Sequence, residues 1–112
     1  MGDTAAPCLF CRIVGGDLPS VRRHDDALII AIEDIAPQAP MHLLLIPRVH
    51  IGSAADLRDT SEHAALLARM HAVAAQLADA AGYGARGWRL VSNVGREGGQ
   101  AIDHLHYHLL AA

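Results

Sequence analysis

His104-Leu105-His106-Tyr107-His108-Leu109-Leu110 alternates three histidines with apolar residues. In a β-strand that alternation sends all three imidazoles to one face and Leu105, Tyr107 and Leu109 to the other, whereas a helix would scatter them. A solvated, His-rich face is the plain structural reading. Ordinary strands fill such positions with Thr, Ser, Lys or Glu, so three imidazoles in register suggest nitrogen ligands or proton-transfer groups.

The 112 residues suffice for one domain, 1–112, with a single core and no linker. A hydrophobic fraction of 52% against 19% charged residues fits a globular chain rather than a disordered one, and with only 4% aromatics the core must be aliphatic. The net charge of −3 and the lack of any block of like charge give no field for nucleic acid, so a phosphate site must be local. Met1 to Pro7 contains an acid and no apolar run, unlike a signal or transit peptide. Met1-Gly2 opens like a myristoylation signal, but Ala6 stands where Ser or Thr is required. The runs Ala27 to Ile32 and Leu43 to Ile46 are too short to span a bilayer. The expected setting is therefore the cytoplasm, without membrane or nucleic-acid partners, where two cysteines are metal ligands or redox thiols rather than a disulfide.

Along the chain, Cys8 to Val14 lies between Pro7 and Gly15-Gly16, which suits one or two helical turns. Val21 to His24 reads as an edge strand, and Ala27 to Ile32 as a strand buried on both faces. The prolines of Ile35 to Pro40 force a rigid loop, after which Met41 to Ile46 forms a second buried strand. Asp59 with Glu62 resembles a capping box, and Gly82 terminates, so a helix of about 20 residues is bracketed. Leu66, Met70, Val73 and Leu77 form its apolar stripe, with His63 and His71 assigned to solvent or partial burial. Trp88 to Asn93 is a third core strand, and Gly95 to Gln100 a mobile or ligand-shaped turn before the histidine strand. Short loops between consecutive strands predict an α+β fold: an antiparallel five-stranded sheet with one long helix and a short N-terminal helix. No internal repeat or low-complexity segment is present.

Two sets of residues carry chemistry. Cys8-x-x-Cys11 has the spacing of half a zinc site, and His50 with one of the triad histidines could complete it. A dithiol redox pair would need a βαβ frame that this strand order does not supply; inert buried thiols are the third reading. The second set is His42, Asn93, Gln100 and the remaining triad histidines. His42 opens a buried strand where an apolar residue would be cheaper, and Asn93 ends another beside a glycine loop. Each also has a structural reading, as a satisfied buried histidine and as a turn former. Neutral imidazole can attack phosphorus, and neighbouring amides and loop N–H groups can hold phosphate oxygens without a large basic patch.

These residues, together with Ile32 to His42, Ile46-Pro47-Arg48-Val49-His50, Val91 to Gly95 and Gly98-Gly99-Gln100, resemble the Hint branch of the histidine-triad (HIT) family, small nucleotide-binding hydrolases. The resemblance runs from Cys8 to Leu110. It implies a homodimer whose sheets run together, acting on purine nucleoside phosphoramidates. His106 would be the nucleophile on the α-phosphate, with His108 and His42 at the phosphate oxygens. Asn93, Gln100 and Ala101 would line the phosphate site, Asp34 would bind the ribose hydroxyls, and Leu9, Ile13 and Ile32 would sandwich the base. Cys8, Cys11, His50 and His104 would hold a structural Zn2+. Dinucleoside polyphosphate hydrolysis and a non-catalytic nucleotide-binding dimer are the alternatives. Ala101 stands where the branch usually carries Ser or Thr, Asp103 where it carries an apolar residue, and Ala112 follows the triad without the usual Gly-Gly-Arg and aromatic tail. Slower turnover, or leaving-group selectivity not set by a partner's tail, is the corresponding expectation.

Overall fold

Ile29-Ile30-Ala31-Ile32 and Leu43 to Pro47 are apolar on both sides of the backbone, the composition of strands covered on two faces. They form the middle of a five-stranded sheet in the computed structural model, which describes residues 8–112. Pro7 and the Met1-Gly2 opening lie outside the described residues. The elements are α1 (Leu9–Val14), β1 (Arg22–Asp25), β2 (Ile29–Glu33), β3 (Met41–Pro47), α2 (Ser61–Ala80), β4 (Arg89–Val91) and β5 (Tyr107–Ala111). The sheet runs β1-β2-β3-β5-β4, antiparallel throughout, with Leu44 opposite both Ile32 and His108.

The period-2 alternation divides the core into two layers. Ile29, Ala31, Met41, Leu43, Leu45, Leu105 and Leu109 pack against Leu66, Met70, Val73 and Ala74 of α2. Ile30, Ile32, Leu44 and Ile46 meet Phe10 and Ile13 of α1 on the opposite face. Met70 and Val73 are wholly buried, each such side chain being worth about 1.5–3 kcal/mol. The 20-residue α2 spans its face, but α1 has 6 residues and covers only part of the other, leaving room for a cleft.

Several expectations shift at the boundaries. Thr60, rather than Asp59, caps α2, its hydroxyl accepting from the His63 amide, a contact worth about 1 kcal/mol. The strand expected in the core over Trp88 to Asn93 is instead a short edge strand, Arg89–Val91, none of it buried, because it pairs on one side alone among the described residues; β3 extends through Pro47, whose missing N–H is tolerated at a strand end. The histidine stretch is not a strand over its whole length: β5 starts at Tyr107. His104 lies in a bend, and Leu105 is anchored to the loop after β3 by its amide on the Ile51 carbonyl. The alternation nevertheless persists, with Leu105 and Leu109 in the α2 layer and His104 and His106 beside Phe10.

Candidate active site and metal centre

His106 Nδ1 sits 2.7 Å from the His104 carbonyl oxygen. A carbonyl only accepts, so Nδ1 carries the proton and Nε2 keeps its lone pair. The Phe10 ring stands edge-on to this imidazole at 4.9 Å, and the Ser92 hydroxyl donates to the His106 carbonyl at 2.9 Å. The nucleophile candidate is thereby fixed in tautomer, ring plane and backbone.

The other two histidines are ordered by the same reasoning. His42 Nδ1 accepts from the Gln38 amide at 3.0 Å, so its Nε2 holds the proton and donates to His108 Nδ1 at 2.9 Å. That leaves the His108 proton on Nε2. Burial, followed by the nearby His106 and His42, pushes the His108 pKa below the ordinary histidine value, with Asp34 opposing. Asp34 Oδ2 lies 3.4 Å from His42 Nε2, and its Oδ1 accepts from the Ala36 amide at 2.8 Å. One carboxylate oxygen therefore keeps spare acceptor capacity beside the histidines.

A cleft of about 520 Å³ opens beside His42 and His108, bordered also by Asp34, Asn93, Gly99 and Arg89, while His106 is buried behind them and does not border it. The volume suits a small organic ligand. Asn93 Nδ2 donates to the Gly98 carbonyl, so this side chain both faces the cleft and shapes the glycine turn. A Cβ on Gly98 would come within 2.2 Å of the Val94 carbonyl oxygen, and Gly99 has φ +91°, so neither position accepts another residue without strain. The Gln100 side chain is occupied in holding loops: its amide donates to Gly52 and Ile102, and its oxygen accepts from Gly95. Ala101 is exposed and supplies no hydroxyl, and nothing in the structure explains the exposed Asp103.

Ile13 and Ile32 are buried together in the α1 layer, while Leu9 is 43% exposed and outside it. None of the three borders the cleft above. Phe10, Gln38, Ser92 and Arg89 join the site without having been singled out by sequence. Gln38 and Ser92 act through a backbone amide and a carbonyl contact, Phe10 sits between two conspicuous cysteines, and Arg89 on an edge strand resembles an ordinary solvated cation.

Cys8, Cys11, His50 and His104 form a second cluster, their donor atoms all within 4.8 Å of one another. His104 is fully buried and its Nε2 donates to the Pro47 carbonyl at 2.9 Å, so Nδ1 presents a lone pair. That atom lies 3.2 Å from Cys8 Sγ, 3.5 Å from Cys11 Sγ and 3.2 Å from His50 Nδ1. Ligand atoms tetrahedrally placed around Zn2+ are about 3.3–3.8 Å apart, given bond lengths of about 2.0–2.3 Å. Burial and the neighbouring Cys8 push the Cys11 thiol up to about 11.

An antiparallel sheet covered by one long helix, with alternating histidines running into the strand beside its centre, defines a histidine-triad domain. The family model described as "Scavenger mRNA decapping enzyme C-term binding" matches residues 7–112. Purine nucleoside phosphoramidase of Escherichia coli K12 is 41% identical over 106 residues, covering 95% of this chain and 87% of that protein. Two solved structures superpose at TM-score 0.90: HIT family hydrolases from Legionella pneumophila (44% identity, 95% and 93% coverage) and Clostridium thermocellum (39%, 97% and 93%). The chain belongs to the histidine-triad family of hydrolases. No helix among the described residues is long and apolar enough to cross a membrane.

Proposed function

We propose that the protein hydrolyses purine nucleoside 5′-phosphoramidates through a nucleotidyl-histidine intermediate. The observation that carries this reading is the His106 tautomer, a lone pair on Nε2 enforced by the His104 carbonyl. Nε2 attacks the α-phosphorus; an N–P bond forms as the bond to the amine breaks, and the amine leaves with that electron pair and a proton from water. Water then attacks the same phosphorus, the N–P bond returns its pair to Nε2, and the nucleoside monophosphate departs with the released proton taken up by solvent. His108 Nε2–H and the turn around Asn93 and Gly99 face the developing charge on the phosphate oxygens. Asp34 offers acceptors to a ribose diol, and Leu9, exposed on α1, offers apolar surface to a base, with Ile13 and Ile32 buried beneath that helix. The similarity to a purine nucleoside phosphoramidase supports this substrate class.

Cys8, Cys11, His50 and His104 would hold Zn2+, which supplies a structural clamp between α1 and the loop after β3 and takes no part in the reaction. A reducing cytoplasm keeps both thiols available to it. The outer edge of β4 is the natural place for a second copy to continue the sheet as a homodimer.

The exposed Ala101 favours one second reading: without a hydroxyl at that position, substrates with better leaving groups, such as acyl-adenylates or dinucleoside polyphosphates, are handled as well as phosphoramidates. Side-by-side kcat/KM values on an adenosine phosphoramidate, an acyl-adenylate and a diadenosine polyphosphate decide between them. His106→Asn is expected to lower turnover on the order of 10⁴-fold while AMP binding survives; turnover persisting in that variant refutes the nucleophile assignment. Elemental analysis of protein purified without added metal tests the zinc, with about one equivalent expected and metal-free, equally stable protein ruling it out.

A further inference from the structure

We propose that Arg89 is a specificity residue that selects leaving groups carrying their own negative charge. The inference rests on the hydrolase reading of the cleft and extends it to the substrate class.

Arg89 pairs with Leu110, which in turn faces His42 across β5 and β3. The neighbouring Leu90 packs into the α2 layer, so by strand alternation Arg89 projects to the face that carries His42 and His108, and its side chain borders the same cleft. Ion pairs among the described residues occupy Arg22, Arg23, Arg48 and Arg69. Arg58 and Arg86 donate to backbone carbonyls, and Arg86 also lies over the Tyr83 ring. Arg89, like Arg12 and Arg96, has no such partner among the described residues, and of the described arginines it is the one on the border of this cleft.

Its position relative to the nucleophile assigns what it would meet. His106 directly precedes β5, and His108 and Leu110 follow it on the same face of that strand at a spacing of about 6.8 Å. An in-line displacement places the leaving atom on the side of phosphorus away from His106 Nε2. With phosphorus held over His108, the departing group enters the Arg89 end of the cleft. A guanidinium there favours a carboxylate or a phosphate, with paired donors matching either oxyanion geometry. Solvation of this exposed side chain limits the preference to about fivefold.

The adenosine 5′-phosphoramidates of glycine and glycinamide differ only in that carboxylate, so the ratio of their kcat/KM values isolates the effect. Arg89→Gln is expected to reduce the glycine-to-glycinamide ratio about fivefold, Arg89→Lys to restore part of it, and added salt to weaken it in the unmodified protein. A ratio within twofold of the unmodified value in Arg89→Gln overturns the proposal, because a merely structural Arg89 would change both substrates alike. Calorimetry with AMP and α,β-methylene-ADP in the same three proteins asks the question for a phosphate and without turnover. If neither phosphoramidate is cleaved, the hydrolase reading fails while Arg89 is still decided. Tighter binding of the diphosphate analogue that is lost in Arg89→Gln upholds the assignment, and an unchanged affinity ratio refutes it.

Discussion

At the scale of single residues, the site depends on which ring nitrogen of three imidazoles each backbone contact engages. Two carbonyls and one amide decide it: the His104 carbonyl for His106, the Pro47 carbonyl for His104 and the Gln38 amide for His42. Such an arrangement responds to acid in a defined direction. Burial first, then the adjacent His106 and His42, holds the His108 pKa below its value of about 6.5 in an unfolded chain. In the interval beneath 6.5 the unfolded chain therefore binds a proton that the native state does not. Stability attributable to His108 is full above that value and declines as pH drops through the interval. Urea midpoints compared at pH 7.5 and pH 5 should fall less in His108→Gln than in the unmodified protein. An identical fall in the two would show that His108 does not contribute to the pH dependence.

At the scale of elements, α1 does more than its 6 residues suggest. Cys8 caps it through a sulfur that accepts from the Cys11 amide, Phe10 is 3% exposed beneath it, and the Phe10 ring also touches His104 and His106 edge-on. Phe10→Ala should cost about 3–5 kcal/mol in urea unfolding and lower kcat through loss of the wall behind His106. A chelator should lower Tm, and this decrement should be absent in Cys8→Ser/Cys11→Ser, whose ligand set is already broken. Much of this scale was legible in sequence. The two-sided apolar runs and the Leu66, Met70, Val73 stripe announced the layers because burial leaves a periodic mark. The start of β5 was not legible, since His104 and Leu105 are held by Pro47 and Ile51 contacts rather than by a strand ladder. Thr60 and Asp59 are adjacent residues of capping type, and only the backbone geometry selects between them. Phe10 and Arg89 escaped notice because their roles arise from neighbours remote in the chain.

At the scale of the whole molecule, the sheet is a wall shared by two cores, and β3 is its most thoroughly buried strand. Leu45, fully enclosed between β2, β5 and α2, should cost about 2–5 kcal/mol when truncated to Ala, measured by urea unfolding. Arg69 joins α2 to the β1–β2 turn through Asp26, which also takes two backbone amides and His24. Arg69→Met should cost about 1 kcal/mol in the same measurement, since the pair is partly solvated. The strand order has a further consequence for how the molecule comes into being. β5 is the last strand in chain order, yet it lies between β3 and β4, and among the described residues β4 pairs with no other strand. During synthesis from the N-terminus, β1, β2 and β3 can zip together as they emerge and α2 can follow onto them, but β4 must wait. His106 and His108 arrive with the piece that closes the sheet, so an incomplete nascent chain that already holds His42 has neither a finished core nor the partner of that imidazole.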